Sequence, residues 1–202
     1  MLNYSNIFVS EGMTYPEYRL LIDQLLANGQ TTGPDHSEGM LEYTKLNVQR
    51  MNRLDKTVTI TDALAAAITA LPSDVRLLVI SEGWCGDAAQ IVPVLNQAVR
   101  SAQLPMKLVL RDKNLELIDA HLTNGGRAIP VLLVIDADGR PLGKWGPRPA
   151  VLQQLLSEWK QENPDFTVVA EQLHGWYAKD RTLTTQQELT AFFDRITAEF
   201  NA

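Results

Sequence analysis

Three short apolar runs punctuate an otherwise amphipathic chain. Val75-Arg-Leu-Leu-Val-Ile80, Lys107-Leu-Val-Leu110 and Pro130-Val-Leu-Leu-Val-Ile135 are rich in β-branched residues. This is the pattern of strands buried on both faces. Pro141 to Trp145 follows the third run across Asp136-Ala-Asp-Gly139, a tight turn with glycine where left-handed backbone is needed. The last two strands are therefore predicted to form a hairpin. Pro141 has no N–H for a ladder, which puts this strand at an edge.

Helical periodicity fills the intervals. Leu64, Ile68 and Leu71 mark one helix, stopping near Pro72. Ile91, Leu95, Ala98 and Val99 mark a second, with Pro93 as a predicted kink. Leu115, Ile118 and Leu122 mark a short third helix ended by Asn124-Gly125-Gly126, and Val151 to Trp159 a fourth. From Thr61 to Lys160 the order is α-β-turn-α-β-α-β-β-α. The fold class is α/β, a mixed four-stranded sheet flanked by helices.

Outside that unit the chain reads as helical. Thr14-Tyr-Pro-Glu17 has capping-box spacing with proline in the first turn, and Tyr18, Leu21, Leu25 and Leu26 follow at helical intervals. Asn28 to Gly39 reads as an exposed loop, and a second helix is predicted from about Met40 to Leu54, forming a hairpin with the first. From Glu162 onward one more helix is predicted. It opens on a second capping-box match, Thr185-Gln-Gln-Glu188, and carries Leu189, Phe192, Phe193, Ile196 and Phe200 on one face. The expected organisation is an N-terminal helical extension over 1–60, a central domain over 61–160 and a helical tail over 161–202, packed on that domain.

Composition narrows the function classes. The 202 residues are 45% hydrophobic and 21% charged, enough to bury a core without disulfides or metals. A net charge of −6 with no basic run speaks against a nucleic-acid partner. No stretch is apolar enough to span a bilayer, and Met1 to Leu20 carries Glu11 and Glu17 and lacks a signal-peptide pattern. The expectation is a cytoplasmic protein without a membrane partner. One cysteine excludes an intramolecular disulfide and a Cys-rich zinc site. His36, His121 and His174 show no ligand spacing, so neither a metal nor a cofactor is expected. Gly125-Gly126 follows a helix and precedes a strand, the wrong order for a dinucleotide fingerprint.

That cysteine, Cys85, sits in Glu82-Gly-Trp-Cys-Gly-Asp-Ala88, between an apolar strand and an amphipathic helix. Here the chain resembles the thioredoxin superfamily, which places Trp-Cys-Gly-Pro-Cys at this point. More narrowly it is similar to bacterial members reading Trp-Cys-Gly-Asp-Cys, with the second cysteine replaced by Ala88. Ile129-Pro130 stands where the family has its cis-proline loop, and Asp138-Gly139 fills the hairpin turn beyond it. The resemblance covers roughly 61–160. It implies a cis Ile129–Pro130 bond, a catalytic role for Cys85, and a binding groove at Trp84, Gly86, Asp87, Ile129 and Pro130.

The departures from the family bear on chemistry. A dithiol reductase needs a second thiol to release the mixed disulfide, and position 88 is alanine. The buried aspartate that the family usually carries six residues before its first cysteine is Val79 here. Helix N-terminal N–H groups favour a thiolate at Cys85, whereas Glu82 and Asp87 oppose one, and no Lys or Arg stands nearby in sequence. Asp87 reads primarily as a carboxylate satisfying free helix N–H groups, and Arg127 as a solvated arginine or a contact for an acidic substrate. Two functions remain open. One is a monothiol oxidoreductase exchanging through Cys85 with a protein or low-molecular-weight thiol or disulfide. The other is a redox-inactive binding module using the groove beside Trp84 and Pro130, with the outer helices as a partner or homodimer interface. Glutathione has weak support, because no basic residue precedes the cysteine. A peroxiredoxin-type site lacks its Pro/Thr/Ser-rich approach and supporting arginine.

Overall fold

A computed structural model describes residues 2–163 and 165–200. The elements run α1 (Tyr4–Ser10), α2 (Tyr15–Ala27), α3 (Glu38–Thr57), α4 (Asp62–Thr69), β1 (Arg76–Ser81), α5 (Gly86–Ala102), β2 (Met106–Leu110), α6 (Leu115–Asp119), β3 (Val131–Ile135), β4 (Pro141–Trp145), α7 (Ala150–Glu162), α8 (Phe166–Asp180) and α9 (Leu183–Phe200). A single 3-10 turn, Arg111–Lys113, joins β2 to α6.

The four strands form one mixed sheet in the order β2-β1-β3-β4. β1 pairs parallel with β2 and antiparallel with β3, and β3 continues into β4 as an antiparallel hairpin. The two central strands are the apolar ones. Every residue of β3 and all but Arg76 of β1 are buried. β4, which begins at the donorless Pro141, takes the edge. Gly139 closes the hairpin at φ +82°, a conformation that glycine adopts without a Cβ penalty.

Helix starts follow local chemistry. Thr14 and Glu17 form the reciprocal capping box at α2. α2 and α3 meet where Arg19 reaches Asp55 at 2.6 Å and Tyr15 donates to the same carboxylate at 2.9 Å. α5 continues past Pro93 as one helix. The apolar core is continuous from Ile7 and Tyr18 through the sheet to Leu173 and Phe193, so the outer helices share it with the sheet. Among the described residues, no helix is long and apolar enough to cross a membrane.

Three expectations are corrected. The tail contains two helices, α8 and α9, rather than one. Thr185 lies buried within α9 and caps nothing; Glu188 instead accepts from the Ala150 amide and from Trp145 Nε1 at 2.7 and 3.2 Å. The loop Asn28 to Gly39 is not wholly exposed, because Thr31, Thr32 and Gly33 are buried.

Candidate functional site

The site grows from the β1–α5 junction. Cys85 is the N-cap of α5, so its sulfur stands over the free N–H groups of the first turn. The Ala88 amide donates to Sγ at 3.4 Å, and Sγ donates to the Ile129 carbonyl at 3.2 Å. That second contact brings the Ile129-Pro130 segment, 44 residues away, against the thiol. The Ile129–Pro130 peptide bond is cis.

Cys85 is buried, with 7% of its surface exposed. Burial, and after it the Asp87 carboxylate, push its thiol up to about 12; the Ala88 amide and Arg148 pull weakly the other way. The thiol is therefore neutral at pH 7. Its contact with a carbonyl is consistent with that state, because a thiolate has no proton to donate there.

The two acidic neighbours in sequence do different work. Glu82 is fully buried and faces away into the protein. It accepts a short hydrogen bond from the Thr32 hydroxyl and one from the Asp112 amide at 2.9 Å. The Gly83 amide in turn donates to Thr32 Oγ1 at 3.0 Å. This network explains why the Thr31–Gly33 segment is buried: it fixes the loop that carries Trp84. Burial raises the Glu82 carboxyl above the usual carboxylate range.

Asp87 is corrected from a simple helix-start carboxylate. Its oxygens accept from Arg148 Nε at 3.1 Å, Arg148 Nη2 at 2.6 Å and Tyr177 Oη at 2.7 Å. Arg148 also reaches Gln153. The pair is desolvated, with Arg148 at 12% and Asp87 at 7% side-chain exposure. Asp87 thus ties the start of α5 to the loop before α7 and, through Tyr177, to α8. Arg148 and Tyr177 were missed from sequence, since each lies 61 or more residues from Asp87.

Gly86 is required by close approach. A Cβ there would meet Tyr43 Oη at 2.5 Å and the His174 ring at 2.8 Å. Tyr43 on α3 and His174 on α8 are themselves joined at 2.9 Å across the motif. Burial, with Arg50 and Arg53 nearby, lowers His174 to about 4, so its ring is neutral at pH 7. The helices outside the sheet unit therefore cover the cysteine.

Beside this cover opens a cleft of about 760 Å³. It is bordered by Trp84, Cys85, Gly86, Asp87 and Ile129, five of the six residues singled out from sequence; Pro130 is buried and does not border it. Trp84 is half-buried, its indole face stacked by Arg111 at 4.6 Å. Arg127 also borders the cleft, forked onto Asp119 at 2.6 and 2.8 Å. No three His, Cys, Asp or Glu side chains among the described residues are placed to hold a metal ion.

Comparisons with known proteins agree on fold. Among solved structures, the chain is similar to a protein of unknown function from Pseudomonas aeruginosa, with 18% identity over 94% of this chain and 99% of that one, and a TM-score of 0.53. It is likewise similar to an HIV epitope scaffold, with 17% identity over 93% and 99% of the two chains and a TM-score of 0.51. No curated protein matches it. A family model described as thioredoxin matches residues 33–160, a span that takes in α3 as well as the whole sheet. With its β2-β1-β3-β4 sheet and its cysteine at the start of α5, this chain belongs to that thioredoxin family.

Proposed function

We propose that this protein is a thioredoxin-fold binding module, holding a ligand in the cleft beside Trp84 and not turning over disulfides. The observation that carries this reading is the state of Cys85. Its sulfur is buried and engaged with the Ile129 carbonyl, and burial pushes the thiol up to about 12. Reactivity requires the thiolate. Position 88 offers no second thiol, and Val79 replaces the family's usual aspartate within the buried core of β1.

Monothiol exchange is the second reading, favoured by the Ala88 amide at 3.4 Å and by the position of the sulfur at a helix start. In that reaction the Cys85 thiolate attacks one sulfur of a disulfide. A mixed disulfide forms, the other sulfur leaves as a thiolate, and an external thiol later resolves the adduct. The two readings separate on incubation of the native protein with excess glutathione disulfide, or with an aromatic disulfide, at pH 7.5. The binding-module reading predicts unchanged intact mass over an hour and one adduct per chain once the protein is unfolded in guanidinium. Stoichiometric adduct within minutes on the native protein would establish the monothiol reading instead.

A further inference from the structure

The lining of the cleft is divided by chemistry. One part is apolar, built by Met40 and Tyr43 of α3, Leu156 of α7, and Phe166, Val169 and Leu173 of α8. Phe166 is 70% exposed at the start of α8, its ring edge-on to Tyr43 at 6.2 Å. The charged residues of the lining are Arg111, Arg127, Arg148, Lys160 and a lone carboxylate, Asp87. Asp87 is already held by Arg148 and Tyr177. In a chain of net charge −6, four of the five charged residues lining this cleft are therefore cations.

Lys160 and Arg127 retain capacity for a ligand. Lys160 is exposed and makes no ion pair among the described residues. Arg127 spends Nε and Nη2 on Asp119, which leaves Nη1, and that pair is solvent-exposed and hence weak. Arg111 lies beside Arg127, its Nη1 3.3 Å from the Arg127 carbonyl, and its own partner is Asp112. Neither Asp112 nor Asp119 lines the cleft.

We infer that the cleft binds a small anionic amphiphile, a molecule with a carboxylate head for Arg127 and Lys160 and an apolar body for the α3 and α8 wall. This rests on the binding-module reading and supplies its ligand class. The volume suits a small organic ligand, and such sites combine an apolar lining with a few polar anchors. A peptide adding as a strand needs open main-chain groups. Here the apolar wall is made of side chains from α3, α7 and α8, and on the loop side the Ile129 carbonyl already accepts from Cys85 and the Arg127 carbonyl from Arg111.

The test is calorimetric titration of the full chain with decanoate, with decanol, and with the neutral-ended peptide N-acetyl-Leu-Glu-Leu-amide, all below any micelle threshold. Decanoate is expected to bind about tenfold or more tighter than decanol. The double variant Arg127→Gln/Lys160→Gln, both surface positions, should erase that preference and leave decanol unchanged. Phe166→Ala should weaken decanoate and decanol alike. Equal binding of decanoate and decanol would overturn the anionic head while leaving the cleft as a binding site. Tighter binding of the peptide than of decanoate would overturn the small-molecule class. Binding of none of the three would overturn the inference; the binding-module reading is judged separately by the disulfide incubation, which does not depend on ligand class.

Discussion

Replacing Arg148 with alanine should lower folding stability by about 3–5 kcal/mol, measured by urea unfolding at pH 7. The guanidinium supplies two of the three hydrogen bonds to the Asp87 carboxylate, and both side chains are almost withdrawn from water. Removing it leaves a buried carboxylate with the Tyr177 hydroxyl as its remaining side-chain partner. That penalty exceeds the net worth of the intact pair, because the Coulomb attraction offsets a large desolvation cost. A double variant, Arg148→Met with Asp87→Asn, should therefore recover much of the loss, which a double-mutant cycle reads as a large coupling. A loss below about 1 kcal/mol for Arg148→Ala would mean that water reaches the pair and that its role in fastening α8 is minor.

Phe193→Ala is expected to cost about 3–5 kcal/mol. Phe193 is fully buried on α9, its ring 5.3 Å from that of Phe192. α9 packs along α4 and against β4, where the Phe192 ring and Ile196 press so closely on Gly143 that a Cβ there would meet both within about 3 Å. The tail helix thus completes the core on the β4 side of the sheet. Phe200→Ala on the same helix, at a half-exposed position, should change stability by no more than about 0.5 kcal/mol. Similar losses for the two variants would show that the helix is held by something other than this stripe.

The sheet was legible because burial on both faces writes itself into consecutive residues. Leu77 to Ile80 and Val131 to Ile135 have no polar alternative, and the Asp136–Gly139 turn fixes the hairpin between β3 and β4. The position of Cys85 at the start of α5 was legible for the same local reason. What escaped was long-range. Arg148 to Asp87, Thr32 to Glu82 and Tyr43 to His174 are pairs separated by 50 to 131 residues, and one sequence carries no signal that they meet. α8 was missed because its buried face is thin. Only Val169, Leu173 and Tyr177 are buried along 15 residues, and Tyr177 does its work through a hydroxyl. The Thr185–Glu188 spacing misled because a Thr-x-x-Glu pattern is common inside helices; Glu188 serves the turn before α7 instead. The sequence also assigned both Glu82 and Asp87 to the cysteine, whereas the strand end aims Glu82 toward Thr32.

These long-range contacts decide the chemistry. A cysteine at a helix start, read alone, is an activated thiol. Covered by α3 and α8 and faced by Asp87, its thiol is buried and pushed up to about 12, and this is the ground on which we propose a binding role for the cleft beside it.

The pH dependence of Cys85 alkylation by iodoacetamide, followed by intact mass, tests this most directly. Labelling is expected to be far slower than for a free thiol at pH 7 to 9, to rise only toward pH 12, and to be restored to free-thiol rates by unfolding. Fast labelling of the native protein at neutral pH, with a midpoint below about 8.5, would overturn the buried, unactivated thiol and return Cys85 to the role of nucleophile.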